Sequence, residues 1–137
     1  MNFTHTRYSD LVIITITGIG EYGDDVKLLK VVEKFIPEKI STIAINFSQV
    51  DTINSAAVAA ILYLLKYGDE HNFDVVFFAA NDKIYMILER ALPKYSINIF
   101  TEDEFHKRYN ITVWRGELWF SLKKKKKTDA FSLSMNN

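Results

Sequence analysis

The fold is decided by residues 42–60, which read TIAINFSQVDTINSAAVAA. Residues 42–47 are almost continuously apolar and rich in β-branched side chains, as is typical of a central, largely buried strand. From Ser55 onward the apolar residues recur at helical spacing, at Val58, Ile61, Leu62 and Leu65. We therefore predict a buried strand that leads through a loop into a helix over residues 55–70, with the Ser55 hydroxyl at the helix N-terminus.

Strands and helices alternate on both sides of this stretch. We predict strands over residues 3–8, 11–17, 42–47, 73–80 and 96–100. We predict helices over residues 24–35, 55–70 and 102–109, and a further helix between Asn81 and Pro93. The order β-β-α-β-α-β-α-β-α predicts an α/β fold with a mixed, mostly parallel sheet and about four α-helices. Partners and ligands of such sheets meet the loops at the carboxyl ends of the strands, and the Asn54-Ser55 pair lies in one of these loops.

The helix N-termini carry polar residues that can cap them. We expect Asp24 or Asp25 to cap the first helix, and Asn81-Asp82 to cap the third. The predicted core face of the first helix consists of Val26, Leu29, Val32 and Ile36. The second helix begins with small residues that let another surface approach closely, namely Ala56, Ala57, Ala59 and Ala60.

The composition is that of a soluble globular domain, with 137 residues of which 48% are hydrophobic and 25% charged. The absence of cysteine excludes disulfide bonds and thiolate metal sites. Five of the 17 basic residues are Lys123–Lys127, so the rest of the chain is mildly acidic, unlike a nucleic-acid-binding domain. We find no secretory signal and no apolar run long enough to span a membrane, which predicts a cytoplasmic protein.

Catalytic, cofactor and metal sites have little support. Gly18, Gly20 and Gly23 fit the spacing G-x-G-x-x-G, but Asp24-Asp25 follow them and would repel a phosphate, so we predict a mobile surface loop without a cofactor. Ser55 lacks the G-x-S-x-G surroundings of a hydrolase nucleophile. The three histidines lack metal-ligand spacing. We expect a binding protein without catalytic residues, and a small α/β enzyme is the remote alternative.

Residues 45–57, INFSQVDTINSAA, resemble the STAS domain of bacterial anti-sigma factor antagonists. Members show an Asp-Ser-Ser-Gly-like motif after a strand that ends in Asp-Leu-Ser-x-Val or similar. This chain keeps the matching Ser48, Val50 and Ser55. The strand closed by Gly18 and the later strands also match in kind, so the resemblance covers about residues 8–109 and implies a STAS-like domain over residues 1–110.

The resemblance implies a partner-switching function. Ser55 matches the serine that an anti-sigma factor with serine kinase activity phosphorylates; the unphosphorylated domain binds that kinase and frees a sigma factor, and a phosphatase resets the switch. The implied partner-binding residues are Asp51, Thr52, Asn54, Ser55, Ala56, Ala57, Ala60 and Tyr63, with Tyr67 at the margin. An acidic residue commonly lies near the serine, for which Glu21, Asp24 and Asp25 are candidates; we include Asp24.

Two features keep an alternative open. Asn54 stands where the family has aspartate, and Ala56-Ala57 replace a Ser/Ala-Gly pair. The alternative is that Asn54 caps the helix, Ser55 is never modified, and the chain is a STAS scaffold or a subunit of a larger assembly, such as a lipid-transport complex.

The C-terminal extension, residues 111–137, has an aromatic segment around Arg115-Gly116 followed by the lysine run. Three interpretations fit it: a membrane anchor, a docking segment or extra strand for a partner, and aromatic residues that pack back on the domain with the lysines in solvent. Tyr63, Tyr67 and the aromatic segment Trp114–Phe120 would each also suit a homodimer.

Overall fold

Five strands lie side by side in the order in which they occur along the chain. They are β1 (Asn2–Tyr8), β2 (Leu11–Thr17), β3 (Thr42–Asn46), β4 (Asp74–Phe78) and β5 (Asn98–Phe100). β1 is antiparallel to β2, and all other neighbouring strands are parallel. The helices are α1 (Asp24–Glu33), α2 (Ser55–His71), α3 (Asp82–Ala91) and α4 (Glu102–Tyr109), with a 3-10 turn at Ile36–Glu38. This computed structural model describes residues 1–93, 95 and 97–111.

The element order confirms the predicted α/β fold with a mixed, mostly parallel sheet and four helices. The largest differences between the predicted and the observed elements lie at the ends of strands and helices. β4 ends at Phe78, earlier than predicted, because Ala79 has φ of 60° and cannot continue a strand. α1 ends at Glu33 because the chain tightens into the 3-10 turn that contains Pro37.

Helices α1, α2 and α3 pack on one face of the sheet. Neighbouring parallel strands joined in chain order by right-handed crossovers require this arrangement. The core that they bury combines strand residues with helix residues, chiefly Val12, Ile14, Ile43, Ile45, Phe77, Leu28, Val32, Ile61, Leu64, Ile84 and Leu88. The intervening strand residues Ala44, Val76 and Phe78 are buried too, which explains the almost continuous apolar sequence of β3 and β4.

The predicted core face of α1 was wrong at its start. Val26 is 55% exposed, whereas Leu28 is fully buried. The prediction that Asp24 or Asp25 caps α1 was also wrong, since the N-cap is Gly23 with φ of 93° and no side-chain cap is formed. This left-handed residue directs the next side chain, that of Asp24, into the interior.

The core face of α2 is rotated toward its small residues. Ala57 and Ala60 are buried with Ile61, Leu64 and Leu65, whereas Val58 and Leu62 are only half-buried. The alanines thus allow close approach, as predicted, but the surface that approaches includes a loop of the same fold, described below.

The chain divides after Thr101 into two units, and α4 belongs to the second. The predicted boundary at residue 110 stays a prediction. Residues 112–137 lie outside the described residues, so the three interpretations of the aromatic segment and the lysine run are not tested. None of the helices within the described residues is long and apolar enough to cross a membrane.

The packing of α2 on the start of β4 gives a stability prediction at Gly68. A Cβ atom there would lie 2.8 Å from the Phe73 carbonyl oxygen and 3.1 Å from Cε1 of its ring. Gly68→Ala gains helix propensity of up to about 1 kcal/mol. We expect overpacking of about 1–3 kcal/mol to exceed this gain, so that chemical denaturation shows net destabilisation.

The matched control is Asp69→Ala, one position further along the same helix. Asp69 is exposed, so this variant gains helix propensity without a steric conflict and should be as stable as the parent or slightly more stable. Equal stability of Gly68→Ala and the parent protein would show that α2 shifts away from Phe73 at little cost.

Candidate functional site

Three loops meet at one edge of the sheet. Residues 18–23, 47–54 and 79–81 follow the carboxyl ends of β2, β3 and β4, which are parallel neighbours. The carboxyl ends of parallel strands lie together, so these loops form one surface. We call the surface formed by residues 18–23, residues 47–54 and the exposed side of α2 from Ser55 to Tyr63 the Ser55 surface.

Asn54 joins two of these loops. Its Oδ1 accepts a hydrogen bond from the Ala57 amide at 3.0 Å, which caps α2. Its Nδ2 donates to the Gly20 carbonyl at 2.9 Å. The cap that the alternative interpretation proposed is therefore present, and the same side chain also joins residues 18–23 to the start of α2.

Gly20 lies so close to α2 that no other residue fits. A Cβ atom on residue 20 would overlap Asn54 Oδ1 and lie 2.7 Å from the Ala57 nitrogen. Gly20 is buried. Gly18, two residues earlier in the chain, has a positive φ of 85°. The glycine spacing thus serves a turn and a close backbone approach, which is a structural use of the G-x-G-x-x-G pattern.

Asp24 braces the same loop from the inside. It is only 3% exposed, and its Oδ2 accepts hydrogen bonds from the Glu21 amide at 2.6 Å and the Met1 amine at 3.3 Å. A carboxylate that is buried and engaged in this way cannot meet a partner directly. The structure therefore assigns Asp24 a supporting position, while Glu21 of the same loop is exposed.

Ser55 is the first residue of α2, and it is exposed. Within the described residues its hydroxyl makes no hydrogen bond, since the cap is supplied by Asn54. The hydroxyl is therefore free to be modified or to contact a partner. The helix dipole and the first amide groups of α2 favour a negative charge at this position.

The other predicted partner-binding residues divide by burial. Asp51, Thr52 and Asn54 are exposed, as is Tyr63 with half of its surface, and Ala56 is half-buried. Ala57 and Ala60 are buried, so they shape the surface from below. Three of the predicted members, Asp24, Ala57 and Ala60, therefore lie beneath the Ser55 surface, and partner binding by the exposed ones stays a prediction.

Tyr67 lies outside this surface. It is 12 residues beyond Ser55 on α2, which corresponds to about 18 Å along the helix axis. The centroid of its ring lies 4.0 Å from that of the His71 ring and 6.2 Å from that of the Phe73 ring. Desolvation, together with the nearby carboxylates of Glu33 and Glu70, raises the pKa of the Tyr67 hydroxyl above its ordinary value, so the side chain stays neutral.

The structure adds residues that sequence reasoning missed. Ile19 is 75% exposed, Tyr22 is fully exposed and Val26 is more than half exposed, all within or just after residues 18–23. Apolar side chains in a loop beside a predicted functional helix were a signal in the sequence. Asn81 was predicted only as a cap, but its Nδ2 also donates to the Asp51 carbonyl at 2.8 Å.

The chemistry of this arrangement is that of a contact surface. In the part of the chain that the structure describes, no group of three or more His, Asp or Glu side chains is placed to hold a metal ion. His5 packs against Phe35, and His71 lies next to the Tyr67 carbonyl, so neither histidine is near Ser55. The surface combines an exposed hydroxyl, exposed apolar side chains and the acidic residues Glu21 and Asp51.

Solved structures that superpose on this chain include anti-sigma factor antagonists. The unphosphorylated SpoIIAA structure superposes with a TM-score of 0.62 at 14% identity, covering 81% of this chain and 99% of SpoIIAA. Phosphorylated SpoIIAA of Bacillus gives 0.60 at 14% identity, with 79% and 99% coverage. A Thermotoga maritima protein assigned to the same class gives 0.65 at 19% identity, with 80% and 95% coverage.

Sequence comparison gives the family directly. Comparison with curated proteins found no match. The sequence profile of the STAS domain, however, matches residues 5–104, which is most of the chain and includes β2 to β5, the second half of β1 and the Ser55 surface. The predicted resemblance is thus confirmed, and this chain belongs to the STAS domain family.

Proposed function

We propose that this protein is a cytoplasmic bacterial anti-sigma factor antagonist whose partner binding is switched by phosphorylation of Ser55. The observation that carries the proposal is the position of Ser55: an exposed, unbonded hydroxyl at the first position of α2, within a surface of exposed apolar side chains. The proposed partners are an anti-sigma factor with serine kinase activity and a phosphatase that removes the phosphate. Transcription is the process that this switch regulates.

Electrostatics explains how one phosphate would act as a switch. A phosphoserine carries about −1.5 to −2 charges near neutral pH. The first turn of α2 tolerates an anion, so the fold is retained. The same charge, placed beside Glu21 and Asp51, makes the surface costly to desolvate under a partner. Phosphorylation therefore changes partner binding at the Ser55 surface, while the domain keeps its fold.

The comparisons support this proposal at the level of family and fold. SpoIIAA, which shares the fold, was solved in an unphosphorylated and in a phosphorylated form. Both forms superpose on this chain with similar TM-scores of 0.62 and 0.60. A switch that acts through surface charge is consistent with a fold that both forms share.

A second candidate function is an unmodified STAS scaffold or assembly subunit. The observation that favours it is the second bond of Asn54, whose amide reaches Gly20 where the family's aspartate would carry a charge. A kinase that requires an acidic neighbour would not accept Ser55. In that case the Ser55 surface binds its partner constitutively.

Phosphorylation of Ser55 can be tested directly. Incubation of the full chain with ATP and each purified anti-sigma kinase of its source organism should add one phosphoryl group, located at Ser55 by mass spectrometry and absent from Ser55→Ala. Ser55→Asp should weaken kinase binding by about 5- to 150-fold, the usual range of coupling between a modification and a binding site. Isothermal titration calorimetry measures this loss.

The control for the Ser55 variants is Ser9→Asp. Ser9 is an exposed serine in the turn between β1 and β2, at the opposite edge of the sheet, so this variant adds the same charge away from the Ser55 surface. It should bind the kinase with nearly parental affinity. Absence of phosphate on Ser55, together with full kinase binding by Ser55→Asp, would refute the switch and favour the scaffold.

The loop over residues 18–23 carries one exposed aromatic residue, Tyr22. Tyr22 is fully exposed, so its ring adds little to folding but can anchor a partner. Tyr22→Ala should cost about 1–2 kcal/mol of partner affinity and leave the unfolding midpoint unchanged. Calorimetric titration and thermal denaturation measure the two quantities.

Tyr8→Ala is the matched control for Tyr22→Ala. Tyr8 pairs with Leu11 at the amino end of β2, the opposite edge of the sheet from Ser55, and 44% of its surface is exposed. It should bind the partner as the parent protein does. Equal affinities for Tyr22→Ala and Tyr8→Ala would place the partner contact elsewhere on the molecule.

A further inference from the structure

Three asparagines lie at the carboxyl edge of the sheet, and each side chain both donates and accepts a hydrogen bond. Asn46 donates to Thr15 Oγ1 at 3.1 Å and accepts from the Ser48 amide at 3.0 Å. Asn54 links the Gly20 carbonyl to the Ala57 amide, and Asn81 links the Asp51 carbonyl to the Ile84 amide. Each asparagine thus connects its own segment to the neighbouring strand or loop.

Asn81 is the member of this series that lies farthest along the chain from Ser55. Its Oδ1 caps α3 by accepting from the Ile84 amide at 2.9 Å, and its Nδ2 donates to the Asp51 carbonyl at 2.8 Å. Asp51 precedes Ser55 by four residues, in a stretch without regular secondary structure. Asn81 therefore holds residues 47–54 at a point where no helix or strand holds them.

We propose that Asn81 is a positioning residue for the Ser55 surface. Asn81 fixes the Asp51 carbonyl, and Asn54 fixes the Gly20 carbonyl, so the start of α3, residues 47–54 and residues 18–23 are held in series. Loss of the hydrogen bond between Asn81 and the Asp51 carbonyl allows residues 47–54, which lead into α2, to move. The exposed residues Ile19 and Tyr22 then lose their fixed position relative to Ser55.

The role requires an amide. A carboxylate accepts hydrogen bonds but does not donate them, and a hydroxyl on a short side chain caps a helix without the second arm. Asn81→Asp therefore keeps the cap of α3, where the helix dipole also favours negative charge, and removes the link to Asp51. Asn81→Ser removes the same link without adding charge.

The test separates a local effect from loss of stability. In both variants we expect the midpoint of chemical denaturation to fall by no more than the loss of one hydrogen bond explains. Hydrogen–deuterium exchange of the Ala57 and Val58 amides, which bond to Asn54, should become about fivefold faster, the factor that corresponds to one lost hydrogen bond of ordinary strength. Asn98→Asp, the same chemical change at an exposed residue of β5, should leave this exchange at the parental rate.

The last step of this inference rests on the proposed function: the kcat/KM for phosphorylation of Ser55 should fall by a similar factor in both Asn81 variants. The exchange measurement needs no kinase, so faster exchange without any phosphorylation refutes the proposed switch and leaves the positioning role standing. Unchanged exchange of the Ala57 and Val58 amides in both variants overturns the positioning role. A uniform rise in exchange over the whole chain, with lower stability, also overturns it, because Asn81 would then be a purely structural residue.

Discussion

The Ser55 surface depends on the side-chain amide of Asn54. The N-terminus of any helix leaves backbone N–H groups without intrahelical partners, and Asn54 Oδ1 satisfies one of them at Ala57. The other arm of the same amide satisfies the Gly20 carbonyl of a loop that precedes it by more than 30 residues. Either bond alone is worth about 1 kcal/mol. Together they fix the position of residues 18–23 relative to Ser55.

This constraint explains the glycines better than a nucleotide site does. Asn54 Oδ1 and the Ala57 amide occupy the space that a side chain on residue 20 would need, so the bond from Asn54 can form only if residue 20 is glycine. Gly23 then turns the chain in the left-handed region and directs Asp24 inward. A spacing that suggests phosphate binding is here a consequence of two loops in close contact.

The sequence predicted the fold well because strands, helices and caps are marked by patterns among residues that are close together in the chain. The apolar runs of β3 and β4 and the caps at Asn54 and Asn81 depend on neighbouring residues, and the element order followed from them. The second hydrogen bonds of both asparagines join residues about 30 positions apart, and no local pattern encodes them. The burial of Asp24 was missed for a related reason: two acidic residues at a helix start usually cap it, whereas Gly23 does so here.

The buried core and the Ser55 surface lie on different sides of the same elements. The core lies between the sheet and the inner faces of α1, α2 and α3, where Leu28, Leu64 and Leu88 are fully buried. Ser55 and Tyr22 contribute almost nothing to it, since both are exposed. A charge added at Ser55 meets the favourable end of the α2 dipole rather than the core. The position can therefore carry a reversible modification, because the free energy of folding is set elsewhere and only the surface offered to a partner changes.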